Sequence, residues 1–289
     1  MKHAIPGMCR LLLGGLLMLA LAGAAHAAPA TDAVRVVVVG GIHMSGVWDA
    51  LRPRLERGTG LRIELVSAAN KEAILPVFER GDAELLLVHG GSQTFALQAA
   101  GIGGAMRVWG YNEHAIVGPA DDPAGVRGAP DAVEAFRRIA AARAPFVASR
   151  DPGSHEIVQR LWKEAGISAD ADWVRLDDSR RPQKVVERAG EQRAYVVVGA
   201  IPVAFGKMRG EGMEILLRGD ARMRRAYVAL EPGPRHPASA AARKRARRIA
   251  DFLVSPAGQA ALAAADAEAG GPWIYGRAGG PAALSLPAE

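Results

Sequence analysis

The sequence predicts an α/β protein of two lobes, each a mainly parallel sheet flanked by helices, with a cleft between the lobes. Three observations carry that expectation. Val34 to Val39 reads VRVVVV, a β-branched run suited to a strand buried on both faces of a parallel sheet. Strand and helix patterns then alternate as far as His89. Finally, Val108 to Arg127, VWGYNEHAIVGPADDPAGVR, opens with Trp109 and Tyr111, runs through apolar Ala115, Ile116 and Val117, and breaks at Gly118-Pro119. It reads as a strand leaving one compact unit and entering another, after which the alternation resumes.

Taken in order, the first strand ends at Gly40-Gly41 and a loop, GGIHMSG, follows. Val47, Trp48, Leu51 and Leu55 share one helical face, with Pro53 expected to bend the helix and Gly58 to end it. Leu61 to Val66 alternates apolar and charged residues and predicts a strand, a helix runs through Phe78, and Glu84 to Val88 is the next strand. Right-handed crossovers put these strand ends, including His89-Gly90-Gly91, at one edge of the sheet, where ligands of open α/β sheets gather. Beyond the crossover, the pattern predicts a helix over 132–142, a strand over 145–148 and a helix N-capped by Ser154 with Ile157, Leu161 and Trp162 inward. Strands over 173–176 and 195–198 bracket a helix over 183–189. The chain then gives strands over 215–217 and 227–230 and one terminal helix over 239–264. The Gly-, Ala- and Pro-rich tail beyond Gly270 is expected to lose order toward its end.

A chain of 289 residues accommodates one large or two modest domains. Lys2 and Arg10 precede the apolar run Leu11 to Leu21, and Ala25-His26-Ala27 follows it, the pattern of a cleaved signal peptide over 1–27. The protein is therefore expected to be exported to the periplasm. The expected lobes are 28–114 with 222–289, and 115–221. The single cysteine, Cys9, falls inside the signal segment, so the remaining chain has neither a disulfide framework nor a thiol nucleophile. The net charge is +6, and two of those charges, Lys2 and Arg10, belong to that segment. Much of the surplus sits in Arg243-Lys244-Arg245 and Arg247-Arg248, on a helical pattern with few aromatics. That composition and export both argue for a solvated helix face over a nucleic-acid patch.

Words distributed along the chain carry a resemblance. They include Ser45-Gly46 with Asp49-Ala50-Leu51, Arg80-Gly81-Asp82-Ala83, Leu86-Leu87-Val88-His89, Tyr111-Asn112, Ile116 to Pro119 and Asp122-Pro123-Ala124-Gly125. Further on come Asp131-Ala132, Phe146-Val147, His155, Leu161-Trp162, Trp173 and Ala194-Tyr195. In this order they resemble the periplasmic tungstate-binding proteins, extracellular solute-binding components of transporters of the ATP-binding-cassette (ABC) type. The resemblance implies a type II periplasmic-binding-protein-like fold that binds a tungstate- or molybdate-like oxyanion and hands it to a permease, with no catalysis and no cofactor. A monomer is expected. The pocket words differ from the family's. Val39-Gly40-Gly41 stands where the family has Thr-Thr-Ser, Asn70-Lys71-Glu72-Ala73 where it has Gly-Thr-Gly-Gln, and Val198-Gly199-Ala200 where it has Thr-Asp-Arg. The segment Ser149 to His155 is shorter than its counterpart.

The candidate ligand-binding residues are Gly40, Gly41, His43, Ser45, Lys71, Arg150 and Ser154. An anion needs converging donors, and these supply backbone amides, hydroxyls and positive charge beside strand-to-helix turns. Arg150 reads equally as a surface arginine, Ser154 as a helix cap, and His89 as a structural hydrogen-bonding residue. Other classes have weaker support. A hydrolase would assemble His43, His155 or Asp151 with Ser45 or Ser154, yet no Gly-x-Ser-x-Gly or His-Glu-x-x-His occurs. A metal site would need His43, His89, His114 and His155, whose spacings match no zinc pattern. The same fold could also take a small organic ligand, or act as a sensor module without transport.

Overall fold

The computed structural model describes residues 33–168, 171–177 and 182–281; the expected signal segment 1–27 lies outside the described residues. The chain begins with β1 (Ala33–Val39), α1 (Gly40–Met44), α2 (Val47–Thr59), β2 (Arg62–Ala69), α3 (Lys71–Glu79), β3 (Leu85–His89) and α4 (Ser92–Ala99). Next comes the long β4 (Gly103–Pro119). After it come α5 (Ala132–Ala141), β5 (Phe146–Ala148), α6 (Pro152–Ala165), β6 (Val174–Leu176), α7 (Val185–Glu191), β7 (Tyr195–Gly199), α8 (Ala200–Ala204) and β8 (Met213–Leu217). The chain closes with β9 (Arg224–Pro232), α9 (Ala240–Val254), α10 (Pro256–Glu268) and β10 (Ile274–Tyr275).

The strands lie in the order β2-β1-β3-β9-β4-β7-β5-β6, with β8 and β10 also paired to β4. β2, β1 and β3 are mutually parallel, as are β6, β5 and β7, whereas β9 and β4 run antiparallel to their neighbours. β4 changes partners along its length. Gly103 to Glu113 pair with β9, and His114 to Pro119 pair with β7 and β8. The core divides accordingly. One cluster packs β1, β3 and β9 against Trp48, Leu51, Phe78, Ile249 and Leu253, and two others surround Phe146, Trp162 and Tyr195 and the Val185–Val198 region. Each buried aliphatic or aromatic side chain contributes about 1.5–3 kcal/mol.

Glu113, where β4 changes partners, is buried and fully used. Its carboxylate accepts from Arg218 Nε at 2.9 Å, from the Gly219 amide and from Tyr275 Oη at 3.2 Å. The register change is thus locked by a buried carboxylate with three donors, a group whose separation from any one of them would be costly.

Four local features differ from the sequence reading. The GGIHMSG segment forms the short helix α1 instead of a loop. The single terminal helix is two, because Ser255 ends α9 and its Oγ caps α10 through the Gly258 amide, with Pro256 following where an amide would be unpaired. Asp151, not Ser154, caps α6: its Oδ2 accepts from the Gly153 and Ser154 amides at 3.1 and 3.0 Å. α2 runs past Gly58 and is closed by Gly60, which takes the left-handed conformation at φ 67°. Past Gly270, Ile274 and Tyr275 pair with Asn112 and Tyr111, and the end of the tail lies outside the described residues. The basic run on α9 serves packing in part: Arg247 and Arg107 both bind the buried Glu231, and Arg243 donates to carbonyls of residues 232–238.

Candidate functional site

Strand register assembles a cluster that no local segment of sequence contains. β9 pairs with β3 so that Tyr227 faces His89, and with β4 so that Arg225 faces Asn112. Side chains two residues apart share a sheet face. Arg225 and Tyr227 therefore lie on one face, joined there by His89 from β3 and by Asn112 and His114 from β4. The rings confirm this placement: His89 stacks on Tyr227 with centroids 4.6 Å apart, and Trp109 stacks on Tyr227 at 5.6 Å. Dispersion and ring quadrupoles favour such offset stacks.

Helix ends face the same group. Gly153, in the first turn of α6, lies so close to Arg225 that a methyl added there would fall 2.2 Å from Arg225 Nη1. The guanidinium is laid across the Gly153 Cα. Its Nη2 reaches the Gly90 carbonyl at 3.4 Å, a long bond, and its Nε is buried without a partner. Among the described residues no carboxylate pairs with Arg225. Lys71 opens α3, capped by Asn70 through the Ala73 amide at 3.2 Å. Burial and the charge of Arg225 lower its pKa to about 8, against opposing pulls from Asp151, Glu72 and Glu156. From α1, Gly41 approaches the Tyr227 hydroxyl, which an added methyl would meet at 3.4 Å.

The two histidines are held neutral. Burial first, then Arg225, Lys71 and His114, push His89 well below its ordinary range, with Asn112 opposing. His114 is lowered to about 4, again by burial first; Asp151 opposes, while Arg225 and Arg160 add to the shift. Among the described residues neither His89 Nε2 nor His114 Nδ1 has a hydrogen-bond partner, and the same is true of Asn112 Oδ1. His114 is 3% exposed, whereas His89, Lys71, Asp151 and Arg225 are only half-buried. The cluster is thus cationic, partly exposed and short of hydrogen-bond partners among the described residues. Two surface hollows of about 390 and 560 Å³, one beside Trp48 and Arg62 and one beside Phe205 and Met208, lie at other residues.

Of the sequence candidates, the fold brings Lys71, Gly41 and Ser154 to this cluster. Among the described residues His43 and Arg150 make no hydrogen bond or ion pair to it. His43 is exposed beside Asp49, Nδ1 to Oδ1 3.5 Å, and Arg150 is exposed with no ion pair or hydrogen bond among the described residues. Ser45 is buried and its Oγ donates to the Ile42 carbonyl at 3.1 Å. Gly40 packs near Ala69 at the end of β2. Arg225 and Tyr227 were missing from the sequence reading of the site, and His114 entered it only as a metal candidate. Among the described residues no three His, Cys, Asp or Glu side chains are gathered to hold a metal ion, and no helix is long and apolar enough to cross a membrane.

No family model matches the sequence. Over 194 residues, 66% of this chain and 66% of the other, it is 28% identical to the tungstate-binding protein TupA of Peptoclostridium acidaminophilum. Over 132 residues, 45% of this chain, it is 34% identical to a putative ABC transporter anion-binding protein of Haloferax volcanii, covering 38% of that protein. The chain spans less than two thirds of the length of either relative. Among solved structures it is similar to the tungstate-binding protein TupA from Desulfovibrio alaskensis G20, with 28% identity, a TM-score of 0.59, and coverage of 79% of this chain and 92% of that one. The resemblance read in the sequence is thus found again over 66% of the chain by sequence and 79% by structure, and the fold is the two-lobed α/β type of periplasmic binding proteins.

Proposed function

We propose that this protein is an exported solute-binding component of an ABC-type importer that holds a small tetrahedral oxyanion, tungstate or molybdate, at Arg225. The carrying observation is the Arg225 guanidinium itself, half-buried, without a carboxylate and laid over the first turn of α6. A cation so placed carries a desolvation cost that an anion would offset. Lys71 adds a second charge, and the N-terminal ends of α3 and α6 add amide dipoles favourable to an anion. The tungstate- and anion-binding names of the relatives support this ligand class and the partner permease.

The lobes are 28–114 with 222–289, and 115–221, joined through β4 and the chain leading into β9. Arg225 comes from the first and α6 from the second, so an anion between them would favour closure. Gly41, Lys71 and Ser154 belong to the site; Arg150, His43 and Ser45 belong to its surroundings. The protein is a monomeric periplasmic binder and not an enzyme. Titration calorimetry with tungstate, molybdate, sulfate and phosphate tests the ligand class. Saturable binding of tungstate or molybdate at one site per chain is expected, with sulfate and phosphate weaker. Absence of binding by all four would remove the oxyanion and leave a small organic ligand as the reading to pursue.

A further inference from the structure

Arg225 and Lys71 account for the attraction of an anion, but not for the two imidazoles set beside them, each with one buried ring nitrogen that lacks a partner among the described residues. A buried ring nitrogen without a hydrogen-bond partner costs free energy that native structures rarely leave uncompensated. His89 Nε2 and His114 Nδ1 are both in that state, on the same sheet face as Arg225. Resting on the oxyanion reading above, we propose that His89 and His114 are ligand-contacting residues that take up protons when the anion binds, and that they select a divalent oxyanion over a monovalent one of the same shape.

Charge at the site supports this assignment. His89 faces Arg225 and Tyr227 from β9, Lys71 from α3, and Asn112 and His114 from β4. His114 faces Arg225, and Asp151 and Arg160 from α6, with the Met223 carbonyl nearby. Lys71 in turn feels Asp151, Glu72 and Glu156. The cations Arg225 and Lys71 oppose protonation, as Arg160 does at His114, and Asp151, the carboxylate that acts on His114, already spends an oxygen capping α6. A divalent anion brings one negative charge more to these groups than a monovalent anion of the same shape, and a proton on His89 or His114 offsets it while giving the ring nitrogen a donor to aim at an anion oxygen. The proton comes from solvent, no bond of the anion is made or broken, and the complex binds more protons than the free protein. By linkage its affinity must then rise as pH falls.

Tungstate and perrhenate test this directly, since both are tetrahedral MO4 ions and differ in charge. Wild-type protein is titrated with each at micromolar concentration in two buffers of unlike ionisation enthalpy, neither an oxyanion, at pH 7. Lys71 is already mostly charged at that pH, so proton uptake there reports the histidines. Uptake of about half a proton or more per tungstate is expected, with a tungstate affinity gain of about threefold or more per pH unit between pH 7 and 6, below the range in which Lys71 titrates. Perrhenate should bind more weakly with little proton uptake. In His89→Gln and His114→Gln, each checked for folding by its thermal melt, the uptake should fall and the preference for tungstate should narrow. If both variants fail to fold, the wild-type uptake alone decides. Tungstate binding with no net uptake, or uptake unchanged in both folded variants, overturns the inference and leaves the oxyanion reading standing. No binding of either anion overturns both.

Discussion

Arg222 and Arg225 lie three residues apart at the entry to β9, and the fold uses them in opposite ways. Arg222 is saturated. Its guanidinium meets Asp131 at 2.9 Å, Asp220 at 3.0 Å and Glu164 at 3.7 Å, and its own pKa is driven upward by the Asp220 hydrogen bond. Asp220 is held low despite its burial, because Arg222 and the Ala132 amide bind its carboxylate. Arg225 has none of this: a carbonyl at 3.4 Å, a buried Nε without a partner, and two neutral histidines and a lysine around it. The difference teaches where to look for a ligand site in a chain rich in arginine. A cation surrounded by carboxylates is spent on the fold, and one without a carboxylate among the described residues is the place to test for an anion.

That contrast can be broken by mutation. Arg225→Ala should lower tungstate affinity by about 100-fold or more, as loss of one member of a desolvated charge pair costs about 2–5 kcal/mol. The same change should leave the melting temperature of the empty protein equal or higher, since an uncompensated cation has gone. Affinity reduced less than about threefold in a titration would sink the assignment of Arg225. Arg222→Ala should do the reverse. It strands Asp220 and Asp131 and should cost about 1–3 kcal/mol in a denaturant melt, with tungstate affinity close to that of the wild type. Loss of binding by a folded Arg222→Ala protein would show that the two arginines are not separable.

Gly153→Ala sharpens the comparison with a smaller effect. Its methyl meets the far end of the Arg225 side chain, which can swing aside, so stability should change little while affinity falls by roughly tenfold, about 1.4 kcal/mol. Equal affinity for Gly153→Ala and wild type in the same titration would mean that the guanidinium does not act from that position. The smallest effect is on the pH profile of stability. The folded protein keeps His114 lowered to about 4, so the unfolded chain binds the extra proton. The stability this lends is present above about pH 6.5 and is lost as pH falls toward 4. Asp131 and Asp220, beside Arg222, are held below their ordinary value of 3.8, and their contribution is lost only below that value. His114→Gln should therefore flatten the first limb in a series of melts and leave the second intact; an unchanged first limb would count against a neutral buried His114.

The fold was largely legible because its signals are local. The VRVVVV run, the apolar faces around Trp48 and Trp162, and the strand break at Gly118-Pro119 each state their role within a few residues. The split of the terminal helix was also written locally, in Ser255-Pro256, but the continuous apolar spacing on both sides outweighs it in a reading by periodicity. The site was legible only where it touches helix starts, at Lys71 and at the Asp151–Ser154 turn. There the capping assignment went to Ser154, although Asp151 precedes Pro152 and is the better-placed acceptor. Arg225 gave no sign. It sits in RMRRAY among other arginines, and its partners are 72 residues away at Gly153 and 135 away at Gly90. What singles it out is the antiparallel register of β9 against β3 and β4, a tertiary fact. His89 was visible as a histidine at a strand end and His114 as one within the crossover stretch, but neutrality and unpartnered nitrogens appear only once burial is known.

The measurement that bears most directly on the central claim is anomalous diffraction at the tungsten edge from crystals grown with tungstate. One strong peak per chain is expected, within hydrogen-bonding reach of the Arg225 guanidinium and beside the first turn of α6. A tungsten peak bound elsewhere in the chain, with Arg225 still unpartnered, would contradict it.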